Sequence, residues 1–485
     1  MISLAIAAQS QTSNDIYRLS NLHLIGTARS MGTNTQLNAI GADYTNASGN
    51  PAGLAQFSFS DFMISAGLGF KNISSTLSPV GGQNQEADEL SVRFHVPTIG
   101  LVFASPRENG EQNKFVFGIG YNAYQTSQGN FNFSGESKGS ITQRFAALAN
   151  GLNKDQLDNY EAGLAYDTYL LIDQNTDGSW SYDYQGYESV ALKKYQSVSS
   201  KTKYSEINIS GALKSGKMLM VGASIGIPVS KYNENKVYTE TDAGDKVPGF
   251  DGLQFSEHKV VSGAGVNGKL GVIFRPVNPL SVGLAFHSPS IIVQSEDFST
   301  GLVFDYTTKD GPFTGKKDSP EGTVDYTYYT PMKLIGSLGS ILGKNGFINA
   351  EISWSDLSKG RVSVKSNDQG DKALEKQIND EVKHNYTNAI KVNIGGELVL
   401  GKYFRIRAGY GMEQNGLKSD TKFYPSYAAG LGYRKNRFYM DAAYRFSKDV
   451  NTYAPYQISG NVSQTLVEQK MNNSMFIVTV GTKLF

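Results

Sequence analysis

Between Arg437 and Ser447 the chain alternates without a fault. Phe438, Met440, Ala442, Tyr444 and Phe446 fall on one parity, and Arg437, Tyr439, Asp441, Ala443, Arg445 and Ser447 on the other. Successive side chains of a strand face opposite sides, so such a segment has one apolar and one charged face. The pattern recurs: Phe404, Ile406, Ala408, Tyr410 and Met412 oppose Arg405, Arg407, Gly409 and Gly411, while Val392, Ile394, Gly396, Leu398 and Leu400 oppose Lys391, Asn393 and Glu397. A soluble sandwich shows its polar face to water. Here the apolar faces are too aromatic and the turns too regular, which points to a closed sheet with its greasy side outward.

Composition narrows the alternatives. At 485 residues the usual prior of roughly 150 residues per domain suggests about three domains, yet no linker or low-complexity run divides the chain. The 52 glycines, 28 tyrosines and 25 phenylalanines suit one large β-structure. No apolar run approaches the ~18 residues that a spanning helix needs, so membrane insertion has to be by strands. The chain has no cysteine, which removes disulfides, thiolate metal sites and cysteine nucleophiles. A net charge of +1 offers no case for nucleic acid.

Alternation and turn signals place strands near 60–76, 90–105, 114–134, 196–214, 217–231, 256–275, 280–298, 322–342, 347–365, 387–400, 403–414, 423–434, 437–448 and 472–485. The connections alternate in length. Lys214–Lys217, Arg275–Pro279, Gly343–Gly346, Leu400–Tyr403 and Arg434–Arg437 are tight, and those between them are mostly long, so the tight turns share one end. Short periplasmic turns, long extracellular loops and an even strand count describe an outer-membrane barrel. The expected fold is therefore all-β: a 14-stranded antiparallel transmembrane β-barrel in the bacterial outer membrane, surrounded by its lipid. A charge on the lipid face costs about 2–4 kcal/mol for Arg or Lys at the midplane. Arg405, Arg407, Arg437 and Arg445 are accordingly expected inside, paired with Asp441, Glu397 or Glu351. Phe485 is a candidate insertion signal for the barrel-assembly machinery.

Residues 1–8 resemble the tail of a signal peptide, with an A-x-A type cleavage site at Ala5–Ala8. Closure requires strand 472–485 to pair with strand 60–76, because lipid cannot bond an open edge. That leaves residues 9–59 outside the wall, as a plug folded into the lumen of the barrel, residues 60–485, whose longest loop spans 135–195. A short helix over 14–19, capped by Thr12, Ser13 or Asn14, opens the plug.

The motifs Gly26-Thr27-Ala28-Arg29-Ser30-Met31-Gly32, Gly41-Ala42-Asp43 and Asn50-Pro51-Ala52-Gly53-Leu54 resemble the plug signature of FadL/TodX-type outer-membrane transporters. Phe117–Asn122, Gly263–Pro276 and Thr330–Lys333 continue the resemblance, and the stretch from Ser140 to Tyr169 is similar to a branch found in Bacteroidota. The resemblance implies passive uptake of long-chain fatty acids or aromatic hydrocarbons and their sideways release beside a kinked third strand. Here that strand is 114–134, with Gly118 and Gly120 facing inward. Glycine in a strand marks a bend or a close approach, and either reading fits these two. Thr33–Asn38 is more polar than the family pattern, which weakens a strict fatty-acid assignment.

Capture of an apolar ligand gains about 0.8 kcal/mol per buried CH₂. The candidate capture residues are Phe131, Phe133, Phe145, Leu148, Leu152 and Leu157, with 141–157 read as an amphipathic helix that either binds ligand or packs on its own loop. Arg29 pairs with Asp43 in the favoured reading, or else, like Arg405, meets an acid headgroup. Gly211–Lys217 imitates a P-loop, but Met218 stands where Ser/Thr is required and a strand follows. The five histidines lack zinc-helix spacing. Asp173, Asn175 and Asp177 resemble the opening of a calcium loop whose twelfth position is Tyr184, and they are the one candidate cation site; no other cofactor is expected. No acid, base and nucleophile set converges, so the chain is not expected to be an enzyme. A second function class is a non-transporting subunit of a secretion or envelope-assembly complex that holds protein partners through its loops.

Overall fold

The computed structural model describes residues 16–78, 85–105, 113–124, 128–173, 178–366, 368–458 and 465–484. The signal-like segment, the capping residues Thr12 to Asn14, Asn175, Asp177 and Phe485 lie outside them. Fourteen antiparallel strands close into a barrel. They are β1 (Asp61–Leu77), β2 (Ala87–His95 and Thr98–Ala104), β3 (Lys114–Ala123 and Gln128–Lys138), β4 (Ala191–Ser215), β5 (Leu219–Thr241), β6 (Phe250–Val277) and β7 (Leu280–His287 and Ile291–Thr308). The circuit continues through β8 (Gly322–Tyr329 and Lys333–Ile341), β9 (Gly346–Asp356 and Arg361–Val364), β10 (Asn388–Leu400), β11 (Phe404–Gln414), β12 (Phe423–Lys435), β13 (Phe438–Tyr453) and β14 (Val467–Lys483). β14 pairs with β1 from Asp61↔Lys483 to Leu77↔Val467, so the seam is sealed.

Parity does what lipid demands. Leu68, Ile119, Ile225, Leu284, Ile394, Tyr410 and Leu431 face outward and are exposed, while Lys269, Glu351, Glu397, Arg407 and Asp441 are buried inside. At the short-turn end Gly216, Gly343 and Gly401 take φ near +60°, a region that costs glycine nothing. Arg437 departs from expectation. It sits exposed in the β12–β13 turn, where its Nη1 donates to the carbonyl of Leu484. Its parity is inward, but the wall ends above it, at Phe438.

β4 to β7 overrun the bilayer: their outward positions turn to Lys201, Lys203 and Lys231 above the apolar band. An extra strand, Gly311–Asp318, folds back on β7 and extends this extracellular wall. Against it packs a loop core containing Phe133, Phe145, Leu157, Tyr238, Phe250 and Phe255. The expected helix 141–157 is shorter. α1 (Thr142–Ala149) ends before Gly151, which takes φ +78°, and a 3₁₀ turn follows at Lys154–Gln156. A longer helix, α2 (Gln369–Asn385), was not expected; Asp368 caps it by accepting from the amide of Gly370, and Leu374, Ile378 and Val382 bury one face.

Candidate functional site

The plug, residues 16–59, fills the lower lumen as short helical turns. Such turns leave amides and carbonyls unpaired, and the wall supplies the partners. Glu351 of β9 accepts from the amides of Gln36 and Asn38 at 2.8 Å each. Thr479 of β14 accepts from the amide of Ala28, Asn50 donates to the carbonyl of Val272, and Asn34 donates to Ser426. Bare backbone on the inner wall makes this approach possible. A Cβ at Gly100 or Gly120 would strike the ring of Tyr44, one at Gly222 would strike Pro51 and Ala52, and one at Gly395 or Gly409 would strike the carbonyl of Thr33. Gly118 and Gly120 are thus seats for a plug side chain and not the kink.

Arg29 holds plug and wall together, but not through Asp43. Its Nη1 donates to the carbonyl of Ala42 at 2.8 Å, and its Nε lies 3.7 Å from Glu397 of β10. Asp43 instead caps the turn Tyr44–Ala47, accepting from Thr27 and from the amide and hydroxyl of Thr45. Glu397 also meets Arg407 at 2.7 Å and Arg405 at 4.0 Å, and Arg407 reaches Asp441 at 2.7 Å. Arg29 and Arg405 are therefore engaged in this network below the cavity. Asn50 caps the turn Pro51–Gln56, with Pro51 at its first position and Ala52 donating to the cap.

Above the plug lies a cavity of about 1360 Å³, whose walls include Phe131, Tyr232, Glu234, Lys236 and Glu257. Phe131 alone of the capture candidates lines it. Phe133 and Phe145 are fully buried in the loop core, Leu157 is buried beside them, and Leu148 and Leu152 pack against that core. The reading of these residues as loop packing is the one the geometry favours. Asp173 pairs with Trp180 in a two-residue ladder, and no cluster of metal-ligating side chains occurs among the described residues.

The wall lapses between β2 and β3. Lower β3 ends at Ala123, and β2 breaks at Val96 and Pro97, where the amide of Ala123 donates to the carbonyl of Pro97. Above the break, Ala87–His95 pairs with β1 along one edge. Gln128–Lys138 pairs with β4, and among the described residues no ladder joins these two upper segments. A side-chain bond, Asn132 to Glu89 at 3.4 Å, spans them. The plug's entering arm lies beside the lapse: Leu24 bridges Tyr124, and the amide of Ile25 donates to the carbonyl of Ala123. A side pocket of about 150 Å³ opens there, between Leu24, Ile25 and Met31 of the plug and Ser91, Arg93 and His95 of β2.

His23 anchors that arm, and sequence spacing gave no reason to select it. Lys391 Nζ lies 2.9 Å from its Nδ1, and Glu413 Oε1 lies 3.1 Å from its Nε2. An ammonium can only donate, so Nδ1 accepts and the proton of a neutral imidazole points to Glu413. Burial pushes the imidazole below its ordinary range, in keeping with that form.

No family model matches the chain, and no curated protein matches it. Solved structures do. The toluene transporter TodX of P. putida superposes with a TM-score of 0.51 at 13% identity, covering 91% of this chain and 94% of that one. A FadL homologue of Pseudomonas aeruginosa gives 0.55 at 11% identity, with 95% and 98% covered. The toluene transporter TbuX of Ralstonia pickettii gives 0.50 at 13% identity, again with 95% and 98% covered. At these identities the likeness is one of architecture, and it extends over the plug as well as the wall. The chain has the fold of the FadL/TodX-type outer-membrane barrels, fourteen strands closed around an N-terminal plug.

Proposed function

We propose that the protein is an outer-membrane passive channel for hydrophobic small molecules, which enter the cavity above the plug and leave sideways into the membrane. The observation that carries this reading is the pair of segments 87–95 and 128–138, which no ladder joins among the described residues, with the side pocket behind the first and the cavity above the plug behind the second. Lipid tolerates no exposed backbone edge without cause, and a passage for apolar molecules supplies one. The proteins named as toluene transporters share the architecture, which supports the same class of cargo here. The arm 16–25 joins the body of the plug at Gly26, which has φ +74°, and release in this reading requires its bonds to the wall through His23, Leu24 and Ile25 to break.

The test uses the absence of native cysteine. Glu89→Cys and Asn132→Cys, joined by a short thiol cross-linker, should block uptake of labelled decanoate and toluene by cells producing the protein, whereas each single variant should not. Unchanged uptake after verified cross-linking would remove lateral release. The complex-subunit reading finds support in an exposed extracellular tip of Tyr169, Ile172 and Phe313. Native mass spectrometry of the detergent-purified protein separates the two, since stoichiometric protein subunits favour the complex.

A further inference from the structure

We infer that the lipid-facing side of β4 and β5 binds a phosphorylated, acylated glycolipid of the outer leaflet through Lys201, Lys203 and Lys231. The site lies outside the lumen and does not depend on the channel reading. Parity puts the three lysines on the outward face, and all are exposed. Lys203 and Lys231 are direct cross-strand partners, and Lys201 stands one pleat above, opposite Asn233. Their height follows from the strand beneath them. From Leu219 to Val229 every outward position of β5 is apolar, and at ~3.4 Å per residue and a tilt of about 40° that run rises roughly 25 Å. This is the height of the apolar band on an outer-membrane barrel. The lysines therefore begin where the acyl chains end, at headgroup level on the side away from the tight turns.

Like charges directly opposite each other on one face of a sheet destabilise the pairing. The wall beside them offers no relief. The same row continues through Ser262 of β6 and Ser295 of β7, and among the described residues none of the three lysines forms a hydrogen bond or ion pair. Toward β8, the outward carboxylates near this height are Asp297 and Asp325, two and three strands from Lys231. At ~4.8 Å per strand they lie about 10 Å away or more, where salt screens the attraction. A phosphate monoester, with a charge of about −1.5 to −2, set between Lys203 and Lys231 turns their repulsion into two charge-assisted hydrogen bonds. A free phosphate would use only the lysines. Ile207 and Val229, exposed immediately below them, give acyl chains a wall to lie on, and Asn233 and Asn235, outward and above, face the level of the sugars.

The experiment is native mass spectrometry of the full-length protein in non-ionic detergent, titrated with phosphorylated lipid A, the same lipid dephosphorylated, and sodium phosphate. Phosphorylated lipid A should bind at least tenfold tighter than the dephosphorylated form, and added salt should narrow the gap. The Lys203→Gln/Lys231→Gln variant should lose that preference, and Lys201→Gln should weaken it several-fold. Lys376→Gln, which removes one charge from the exposed face of α2, should leave it unchanged. The lysine variants relieve a repulsion and so retain the fold. In urea titrations from phosphatidylcholine vesicles, added phosphorylated lipid A should therefore raise the midpoint of the parent protein and not that of the double variant. Equal binding of the two lipids would overturn the inference, as would a preference, or a stabilisation, retained in the double variant. Sodium phosphate displacing the lipid at equal concentration would refute the glycolipid as occupant and leave a site for the free anion.

Discussion

Replacing Glu397 by Gln should loosen the barrel and its plug together. This one carboxylate lies 3.7 Å from Arg29 of the plug, 4.0 Å from Arg405 and 2.7 Å from Arg407. At an effective dielectric near 20, each contact has a gross attraction of about 4–6 kcal/mol, most of it spent on desolvation. The relevant quantity is the cost of leaving cations buried without their counter-charge, about 3–5 kcal/mol when one partner of a buried pair is removed. Arg407 retains Asp441, which argues for the lower half of that range. Arg29 retains the plug carbonyls of Gly41 and Ala42 and the face of the Phe347 ring, and no second carboxylate within ion-pair distance among the described residues. Arg29→Gln alone leaves Glu397 two cations and should cost less, about 1–3 kcal/mol. Because the two residues share a contact, the double variant should be less damaged than the sum of the singles, with a coupling of about 0.5–3 kcal/mol. Urea titrations of the protein refolded into lipid vesicles, followed by the fluorescence of its two tryptophans, measure all four corners of the cycle. A loss below about 1 kcal/mol for Glu397→Gln, or strict additivity, would show that the network is ornamental and that packing alone seats the plug.

Other consequences are simpler to state. Gly120→Leu drives a side chain into the buried ring of Tyr44 and should cost about 1–3 kcal/mol as overpacking; Tyr44→Ala in the same chain should recover part of that, and no recovery means the glycine serves the strand itself. Ile225→Arg places a guanidinium on the lipid face at mid-strand, where the isoleucine is 57% exposed; the expected penalty is about 2–4 kcal/mol in vesicles, and a neutral result would place β5 outside the bilayer. Asp368→Ala removes the cap of α2 and should cost about 1 kcal/mol locally, read as faster amide hydrogen exchange over 369–385 with the barrel strands unaffected.

Much of this architecture follows from local rules that a sequence displays directly. Side-chain parity, the apolar band, fourteen strands and the tight turns at one end all arise because lipid forbids outward charge and open edges, and both constraints act residue by residue. The extra strand Gly311–Asp318 and the helix α2 rise above the membrane, where that constraint ends. The four-residue spacing of Leu374, Ile378 and Val382 behind Asp368 was a readable helix signal all the same. The site depended on partners far apart in the chain. Arg29 finds Glu397 in β10 and not Asp43 nearby, because the plug turn points Asp43 at its own amides. Gly118 and Gly120 suggested a kink, yet lower β3 runs unbroken through them to Ala123, beside a proline that interrupts β2, and Tyr44 of the plug packs against both glycines. Aromatic loop residues looked suited to ligand until the strands around them rose high enough to bury them. Parity alone could show that Ser91 and Arg445 face inward; only the closure of β14 on β1 brings them around one pocket, since hydrogen-bonded register across the seam sets which rows of side chains meet.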